Sequence, residues 1–263
     1  MRRHWAEYRT TEYETIDPAK TIAILPTAAI EQHGPHLPVG VDTMINEGML
    51  RRLVQLAPED LDFRILPVQA VGKSNEHLHA PGTITLPADV AMKAWIDIGL
   101  SVARAGVRKL VIVNSHGGNL DMIGIVAREL RVQAGMLAVK CQWGAFGHPE
   151  GMYSAHELSY GIHGGDVETS LMLHFRPDLV DMGQARNFRS SAEDMGNFAR
   201  LRPTGAAAYG WIASDLNGAG TVGDASVATA EKGAATCDHQ IRGFIELLRD
   251  VESFDLDRLG NAS

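Results

Sequence analysis

The sequence predicts an α/β protein with three layers, in which helices cover both faces of a mostly parallel β-sheet. Short apolar runs of strand length alternate along the chain with segments of helical period, which is typical of βαβ units. The apolar runs mostly lack the polar–apolar alternation of a half-exposed strand, as expected for strands that are buried on both faces. We therefore expect one domain over residues 1–263.

The predicted elements follow from these patterns in chain order. Strands are expected at 21–25, 63–68, 109–114 and 137–142. Helices are expected at 43–55, 88–104, 120–133, 167–173 and 228–251. Asn119 is placed to cap the third of these helices.

Two parts of the chain carry no strong periodicity. Residues 187–226 are rich in Gly, Ala and Asn, and we predict a long irregular segment there. Such segments inside a compact domain are usually functional or form interfaces. The tail over 255–263 is expected to fray.

Composition narrows the class of protein. The 263 residues carry a net charge of −8, with 45% hydrophobic and 21% charged residues, as in ordinary globular chains. An acidic balance argues against nucleic acid as a partner, because phosphates bind clustered Lys and Arg. No apolar run approaches the roughly 20 residues of a membrane span, and no secretory signal follows Arg2 and Arg3. Cys141 and Cys237 form no disulfide framework, so a cytoplasmic protein without a membrane partner is predicted.

Eleven histidines are the unusual feature, and several lie beside carboxylates where predicted strands end. Glu31 and His33 follow the first strand and point to the same side of an extended chain, and Asp42 returns at the start of a helix. Carboxylate and imidazole ligands suit zinc, manganese or iron, and one carboxylate can bridge two ions. The ordinary alternative is a polar loop in which Asp42 only caps the helix.

Two further clusters follow the same pattern. His116 ends the third strand, before Gly117 and Gly118, which let the backbone approach a ligand near a helix N-terminus. A glycine turn with an incidental histidine is the alternative. His163 and Glu168 straddle another glycine pair. Glu168 either complements the dipole of the helix that follows or ligates a metal, with His163 as an acid/base group.

The loop over 72–77 follows the second strand and contains Ser74, whose hydroxyl could bind a substrate carbonyl; a plain turn is the alternative. Trp143 and Phe146 are expected to wall the pocket, and Glu157 is interpreted as a surface residue. P-loop, GxGxxG, GxSxG and HExxH motifs are not found, so nucleotide-binding and serine-hydrolase functions lack their signatures.

Taken together, these stretches resemble the creatininase (creatinine amidohydrolase) family. The matching segments occur in family order: 31–38 with Asp42, 74–83, 114–119, 163–170 and 223–233. The resemblance implies a three-layer α/β fold and two divalent metal ions per chain, which would be zinc, manganese or iron. It also implies hydrolysis of a non-peptide C–N bond in a small cyclic or linear amide by a metal-activated water. Members are typically hexamers, so a homo-oligomer is expected.

The resemblance further implies a role for each motif residue. Glu31 and His116 would hold one metal ion, His33 would hold the other, and Asp42 would bridge the two. His163 matches the proton-shuttling histidine of the family.

The sequence departs from creatinine-hydrolysing members at two places. Ser159 and Tyr160 stand where those members carry a Trp before the matching His. Gly117 and Gly118 replace a Tyr and a Glu that directly follow the second-motif histidine. The double glycine resembles other branches of the family, which include deformylases of pterin and flavin precursors and a peptidase of peptide-derived cofactor maturation.

The missing carboxylate at Gly118 predicts a ligand elsewhere. Catalytic metal sites usually have about three protein ligands, so we predict Glu168 as the missing ligand of the second ion. Asp166 is the fallback, but it is better placed to cap its helix. Ser74, Gly117 and Gly118 are the predicted substrate-binding positions.

The leading functional hypothesis is a metal-dependent amidohydrolase acting on a small amide or formamide. Creatininase itself, which converts creatinine to creatine, is the alternative within enzymes. A metal-free binding or assembly protein with the same fold is the alternative from another class, and metal analysis separates it from both enzymes.

Overall fold

Four parallel strands form the central sheet of the computed structural model, which describes residues 2–260. They are β1 (Ile22–Thr27), β2 (Phe63–Ile65), β3 (Lys109–Asn114) and β4 (Leu137–Gln142), in the spatial order β2–β1–β3–β4. Every residue of the two central strands, β1 and β3, is buried. The unbroken apolar runs therefore reflect a sheet covered on both faces, as predicted.

Eight α-helices surround the sheet within residues 2–260. They are α1 (Thr10–Tyr13), α2 (Val41–Leu56), α3 (Ala88–Arg104), α4 (Leu120–Ala134), α5 (Ala155–Tyr160), α6 (Asp166–Phe175), α7 (Ala213–Leu216) and α8 (Ala230–Ser253). Helices α2, α6 and α8 pack together on one face, and α3 and α4 pack on the other.

Successive residues of β1 enter two separate apolar cores. Ile22 and Ile24 pack into the core that contains Phe244 of α8, whereas Ala23 and Leu25 pack into the core beneath α3 and α4. This alternation is the period-two geometry of a strand. The predicted three-layer α/β fold is confirmed.

Two local predictions are corrected by the structure. Strand β2 ends at Ile65 rather than at residue 68, because Pro67 has no N–H to continue the ladder. The Asn119 side chain makes no cap for α4. Instead its amide donates to the Ala28 carbonyl at 3.0 Å and accepts from the Lys73 N–H at 3.1 Å, so it ties neighbouring loops together.

The segment 187–226 is mostly irregular, as predicted. It contains the short antiparallel pair β5 (Asn187–Phe188) and β6 (Gly223–Asp224), together with α7. In the tail, Leu256–Arg258 form a 3-10 helix where fraying was expected, and residues 261–263 lie outside the described residues. Within residues 2–260 no helix is both long enough and apolar enough to cross a membrane.

Candidate metal centre

Loops at the carboxyl end of the parallel sheet bring the predicted site residues together, where open α/β sheets bind ligands. Glu31 and His33 follow β1 on extended chain, and His116 follows β3. Asp42 is the second residue of α2, whose N-cap is Gly40, so the interpretation of Asp42 as a helix cap is wrong. These four side chains are almost completely buried.

Four groups of three side chains bring their ligand atoms together among the described residues, and two of these groups share Asp42. The other two are Glu31 with His33 and His163, and Glu31 with Glu76 and His77. In one group with Asp42, His116 Nδ1 lies 3.2 Å from Glu31 Oε1 and 3.5 Å from Asp42 Oδ2. In the other group with Asp42, His33 Nε2 lies 3.9 Å from Asp42 Oδ1 and 3.8 Å from Glu168 Oε2. Within each group the ligand atoms all lie within 4.8 Å of one another.

Three of these atoms are buried without a hydrogen-bond partner among residues 2–260: Glu31 Oε2, His33 Nε2 and Asp42 Oδ2. Buried polar atoms are almost always paired, so three free ones in one cluster require a reason. Burial and the Glu31 charge raise the pKa of Asp42 well above its usual range, because the two carboxylates repel each other. A divalent cation would be bound by these carboxylate and imidazole ligands and would relieve the repulsion between the two carboxylates.

Hydrogen bonds on the side away from the cluster fix the orientation of the His33 and His116 rings. His33 Nδ1–H donates to the Glu31 carbonyl at 3.0 Å, which leaves the lone pair on Nε2. His116 Nε2–H donates to the Lys73 carbonyl at 2.8 Å, which leaves Nδ1 facing Glu31 and Asp42. Metal-ligating histidines typically donate their other N–H to such a carbonyl.

The two rings differ in pKa. Burial lowers the pKa of His33 to about 4. Burial also opposes a charge on His116, but the adjacent Glu31 carboxylate outweighs it and raises the pKa of His116 to about 10.

Glu168 and Asp166 have different surroundings, although both lie in the first turn of α6. Glu168 is the more exposed, at 24% of its side chain, and its Oε2 accepts from the Gly164 N–H at 2.5 Å while facing His33. Asp166 pairs with Lys232 at 2.7 Å and accepts from the Ser170 hydroxyl at 3.0 Å. The helix cap is Gly165, so the predicted capping role of Asp166 is wrong, and its carboxylate is committed away from the cluster.

His163 lies beside Glu31 and His33 in the cluster. Its Nε2–H donates to the Gln32 carbonyl at 2.8 Å, and its Nδ1 lies 3.6 Å from Glu31 Oε1. The ring lies against His33, with the centroids 4.2 Å apart. Burial lowers the pKa of His163, which favours the neutral ring.

The predicted substrate-binding residues lie beside His116. Ser74 is fully buried, with its Oγ 3.3 Å from His116 Nε2. A Cβ added to Gly118 would lie 2.5 Å from His116 Nε2 and 2.6 Å from the Lys73 carbonyl oxygen, so packing requires a glycine there. A Cβ on Gly117 would meet no described atom within 4 Å. Their contacts with substrate stay predictions.

Sequence reasoning missed three residues of this site: His77, Glu76 and Gln32. His77 is buried, stacks on His163 with centroids 4.4 Å apart, and places Nε2 at 3.6 Å from Glu31 Oε1. Glu76 Oε1 lies 3.7 Å from His116 Nε2. Glu76 and His77 lie in the same loop as Ser74, after a strand end, and Gln32 lies between Glu31 and His33. These positions were the available signals.

Trp143 and Glu157 do not lie where the sequence predicts them. Trp143 is buried in the core, where it packs edge-on against Phe244 and donates to Asn46 Oδ1 at 3.2 Å, so it is not a pocket wall. Glu157 is buried rather than at the surface, and its carboxylate accepts from the backbone N–H groups of Asp166 and Asp224 at 2.7 and 2.9 Å.

Known proteins are similar to this chain in sequence and in fold. The family model "Creatininase: Creatinine amidohydrolase" matches residues 6–248. A mycofactocin precursor peptide peptidase of Mycobacterium ulcerans is 33% identical over 240 residues, which are 88% of this chain and 82% of that protein. The creatinine amidohydrolase of Pseudomonas putida is 28% identical over 261 residues, 94% of each chain.

Solved creatininase structures superpose closely. A mutant creatininase gives a TM-score of 0.74 at 26% identity, covering 95% of this chain and 99% of the other. A mutant of the Zn-Zn type gives 0.71 at 25% identity, covering 97% and 100%. With the family model matching most of its length, the chain belongs to the creatininase family.

Proposed function

We propose that this chain is a metal-dependent amidohydrolase that holds two divalent metal ions and hydrolyses the C–N bond of a small amide. The observation that carries the proposal is the cluster of three carboxylates and two imidazoles, with buried ligand atoms that have no partner among residues 2–260. Membership of a hydrolase family supports it.

Each proposed ion has ligands of its own, and one further ligand is common to both ions. Glu31 and His116 would hold the first ion, His33 and Glu168 would hold the second, and Asp42 would contribute to both. The support is the two groups of ligand atoms with Asp42 in common. The Zn-Zn type of the creatininase relative agrees with two ions, and zinc, manganese and iron all suit this ligand set.

The protein's own residues supply positioning and proton transfer. Bound divalent ions would lower the pKa of a water molecule and polarise the substrate carbonyl. His163 has its Nε2–H committed to Gln32, so its Nδ1 accepts a proton on the side of Glu31 and passes it to the leaving nitrogen. Ser74, Gly117 and Gly118 face the substrate beside His116, and the open space at Gly117 admits a group that a side chain would block.

The substrate class is proposed as a small cyclic or linear amide or a formamide. Creatinine is the second candidate, supported by the relative from Pseudomonas putida. Against it, Ser159 and Tyr160 stand where creatinine-hydrolysing members carry a Trp, and Ser159 is exposed and donates to the Ala155 carbonyl. A peptide bond is a third candidate, because the relative from Mycobacterium ulcerans is a precursor peptide peptidase.

Metal analysis followed by a substrate panel tests the proposal. Protein purified without chelator should contain about two equivalents of zinc, manganese or iron per chain. It should hydrolyse at least one of creatinine, 2-pyrrolidinone, formanilide and a short unblocked peptide, and lose that activity after chelator treatment. Protein that binds no added Zn²⁺ would instead support the metal-free binding protein and overturn the proposal.

A further inference from the structure

We propose that Gln32 determines which ring nitrogen carries the proton in two stacked histidines, His77 and His163. As a result, His77 donates a hydrogen bond to the substrate carbonyl oxygen, while His163 accepts a proton. The inference rests on the proposed hydrolase function and deepens it. It adds His77 as a further catalytic residue and Gln32 as the residue that positions it.

The side-chain amide of Gln32 has a single possible orientation. The Gly34 N–H donates to Gln32 Oε1 at 2.9 Å, and a backbone N–H can only donate, so the oxygen must face it. The amide nitrogen then donates its two hydrogens to the Gly220 carbonyl and to His77 Nδ1, the latter at 2.7 Å. The same nitrogen lies 3.4 Å from His163 Nε2, the longest of its three contacts, and has no hydrogen left to donate there. A flipped amide would oppose donor to donor at Gly34 and acceptor to acceptor at Gly220.

This orientation decides where His77 carries its proton. Because Gln32 donates to Nδ1, the proton of the neutral ring is on Nε2. His77 Nε2 lies 3.6 Å from Glu31 Oε1, which is too long for a hydrogen bond. This N–H therefore points toward the cluster without forming a hydrogen bond to Glu31. A protonated nitrogen has no lone pair for a metal, so His77 is a donor here although Glu31 and Glu76 lie within ligand distance.

His163 has the opposite polarity. Its Nε2–H donates to the backbone carbonyl of Gln32 at 2.8 Å, and the lone pair is on Nδ1, 3.6 Å from the same Glu31 oxygen. The rings of His77 and His163 stack with an interplanar angle of 27°. One residue, through its side chain and its backbone, therefore sets a donor and an acceptor next to each other.

Both polarities serve amide hydrolysis. As water attacks, a C–O bond forms and the C–N bond breaks, and negative charge develops on the carbonyl oxygen. The His77 Nε2–H is suited to that oxygen, since a fixed donor stabilises developing charge without reorganising. His163 Nδ1 takes one proton from the water and delivers it to the leaving nitrogen, while the water oxygen stays on the carbonyl carbon.

Solid-state NMR of ¹⁵N-histidine-labelled protein tests the polarities without relying on turnover. In the wild-type protein, as purified and after adding Zn²⁺, His77 should show an unprotonated Nδ1 and a protonated Nε2. The isosteric Gln32→Met removes the donor and should convert His77 to a mixture of tautomers, whereas Gln55→Met on the exposed part of α2 should change nothing. A wild-type proton on Nδ1, a Zn²⁺-bound Nε2, or an unchanged tautomer in Gln32→Met would overturn the inference.

Two substitutions of His77 test the donor role. His77→Phe keeps the ring stack but has no N–H, and kcat on the best panel amide should fall about 10²-fold. His77→Gln places an amide N–H near the position of Nε2 and should stay within about 10-fold of wild type. Both variants should keep the wild-type metal content and melting temperature.

The outcomes separate this inference from the proposed function. His77→Phe with full kcat, or with one metal ion lost, would overturn the donor role. Wild-type protein that binds no metal and hydrolyses no panel amide would overturn the proposed function instead, and the NMR tautomers would still be measurable.

Discussion

Asp42 is the residue on which both proposed metal ions depend, because its two oxygens face different histidines. We expect Asp42→Asn to remove both ions, since a neutral amide cannot bridge two cations, and His33→Ala to remove one preferentially. Metal content per chain by elemental analysis measures this, with Asp97→Asn on exposed α3 as the matched control. An Asp42→Asn protein with full metal content and activity would rule out the two-ion centre.

Glu168 is expected to serve one ion only. It faces His33 at 3.8 Å and belongs to the group that excludes Glu31 and His116. Glu168→Gln should therefore weaken one ion, measured by competitive chelation, and leave the other bound. The control is Glu246→Gln, an exposed glutamate of α8. Two ions held as tightly as in the wild type would contradict the assignment.

His163 is expected to move protons rather than to bind metal. His163→Ala should lower kcat by roughly 10²–10⁴-fold, the usual contribution of acid–base catalysis, with nearly unchanged metal content. Elemental analysis and turnover measured on the same preparation decide between the roles. If metal and activity are lost together, His163 is a ligand.

At this scale the sequence predicted most of the cluster, for a geometric reason. Glu31, His33 and His116 directly follow buried strands, and the sheet fixes where such residues lie. His77 was missed because its loop takes its path from distant contacts, such as the Thr85 hydroxyl that accepts from the Ser74 N–H at 2.7 Å. Such tertiary contacts cannot be read from local spacing.

At the scale of elements, the 3-10 helix Gly117–Asn119 follows β3 and begins directly after His116, so its packing affects the position of His116 in the cluster. Gly118→Ala should lower both the melting temperature and the affinity for Zn²⁺, because its Cβ would collide with the His116 ring and the Lys73 carbonyl. Gly117→Ala has free space and should leave both unchanged. Equal effects of the two substitutions would mean that close packing at Gly118 does not hold His116.

The elements themselves were predictable where one signal dominated. Apolar runs and helical periods gave the strands and long helices, because burial on both sheet faces selects those patterns. Helix caps were predicted less well, since Asn119 and Asp166 have stronger partners outside their helices. Local cap propensity competes with tertiary hydrogen bonds, and at these two positions the tertiary bonds prevail.

For the whole molecule, we predict a homo-oligomer with contributions from the segment 187–226. This segment exposes large apolar side chains, including Phe198, Leu201 and Ile212, and exposed apolar surface is typical of protein interfaces. Light scattering at micromolar concentration should give a multiple of the monomer mass. A monomeric mass would contradict the prediction, and Phe198→Ser tests whether this surface takes part.

The same segment joins the centre through a short stretch near its end. The Thr221 hydroxyl and the Val222 N–H both donate to the His163 carbonyl, at 2.6 and 2.8 Å, and the Gly220 carbonyl accepts from Gln32. The portion before it, 194–219, is largely exposed. In evolutionary terms, that portion can drift in length and composition while three anchored residues preserve the reacting groups. A change within this portion is therefore expected to leave the hydrogen bonds to Gln32 and His163 in place.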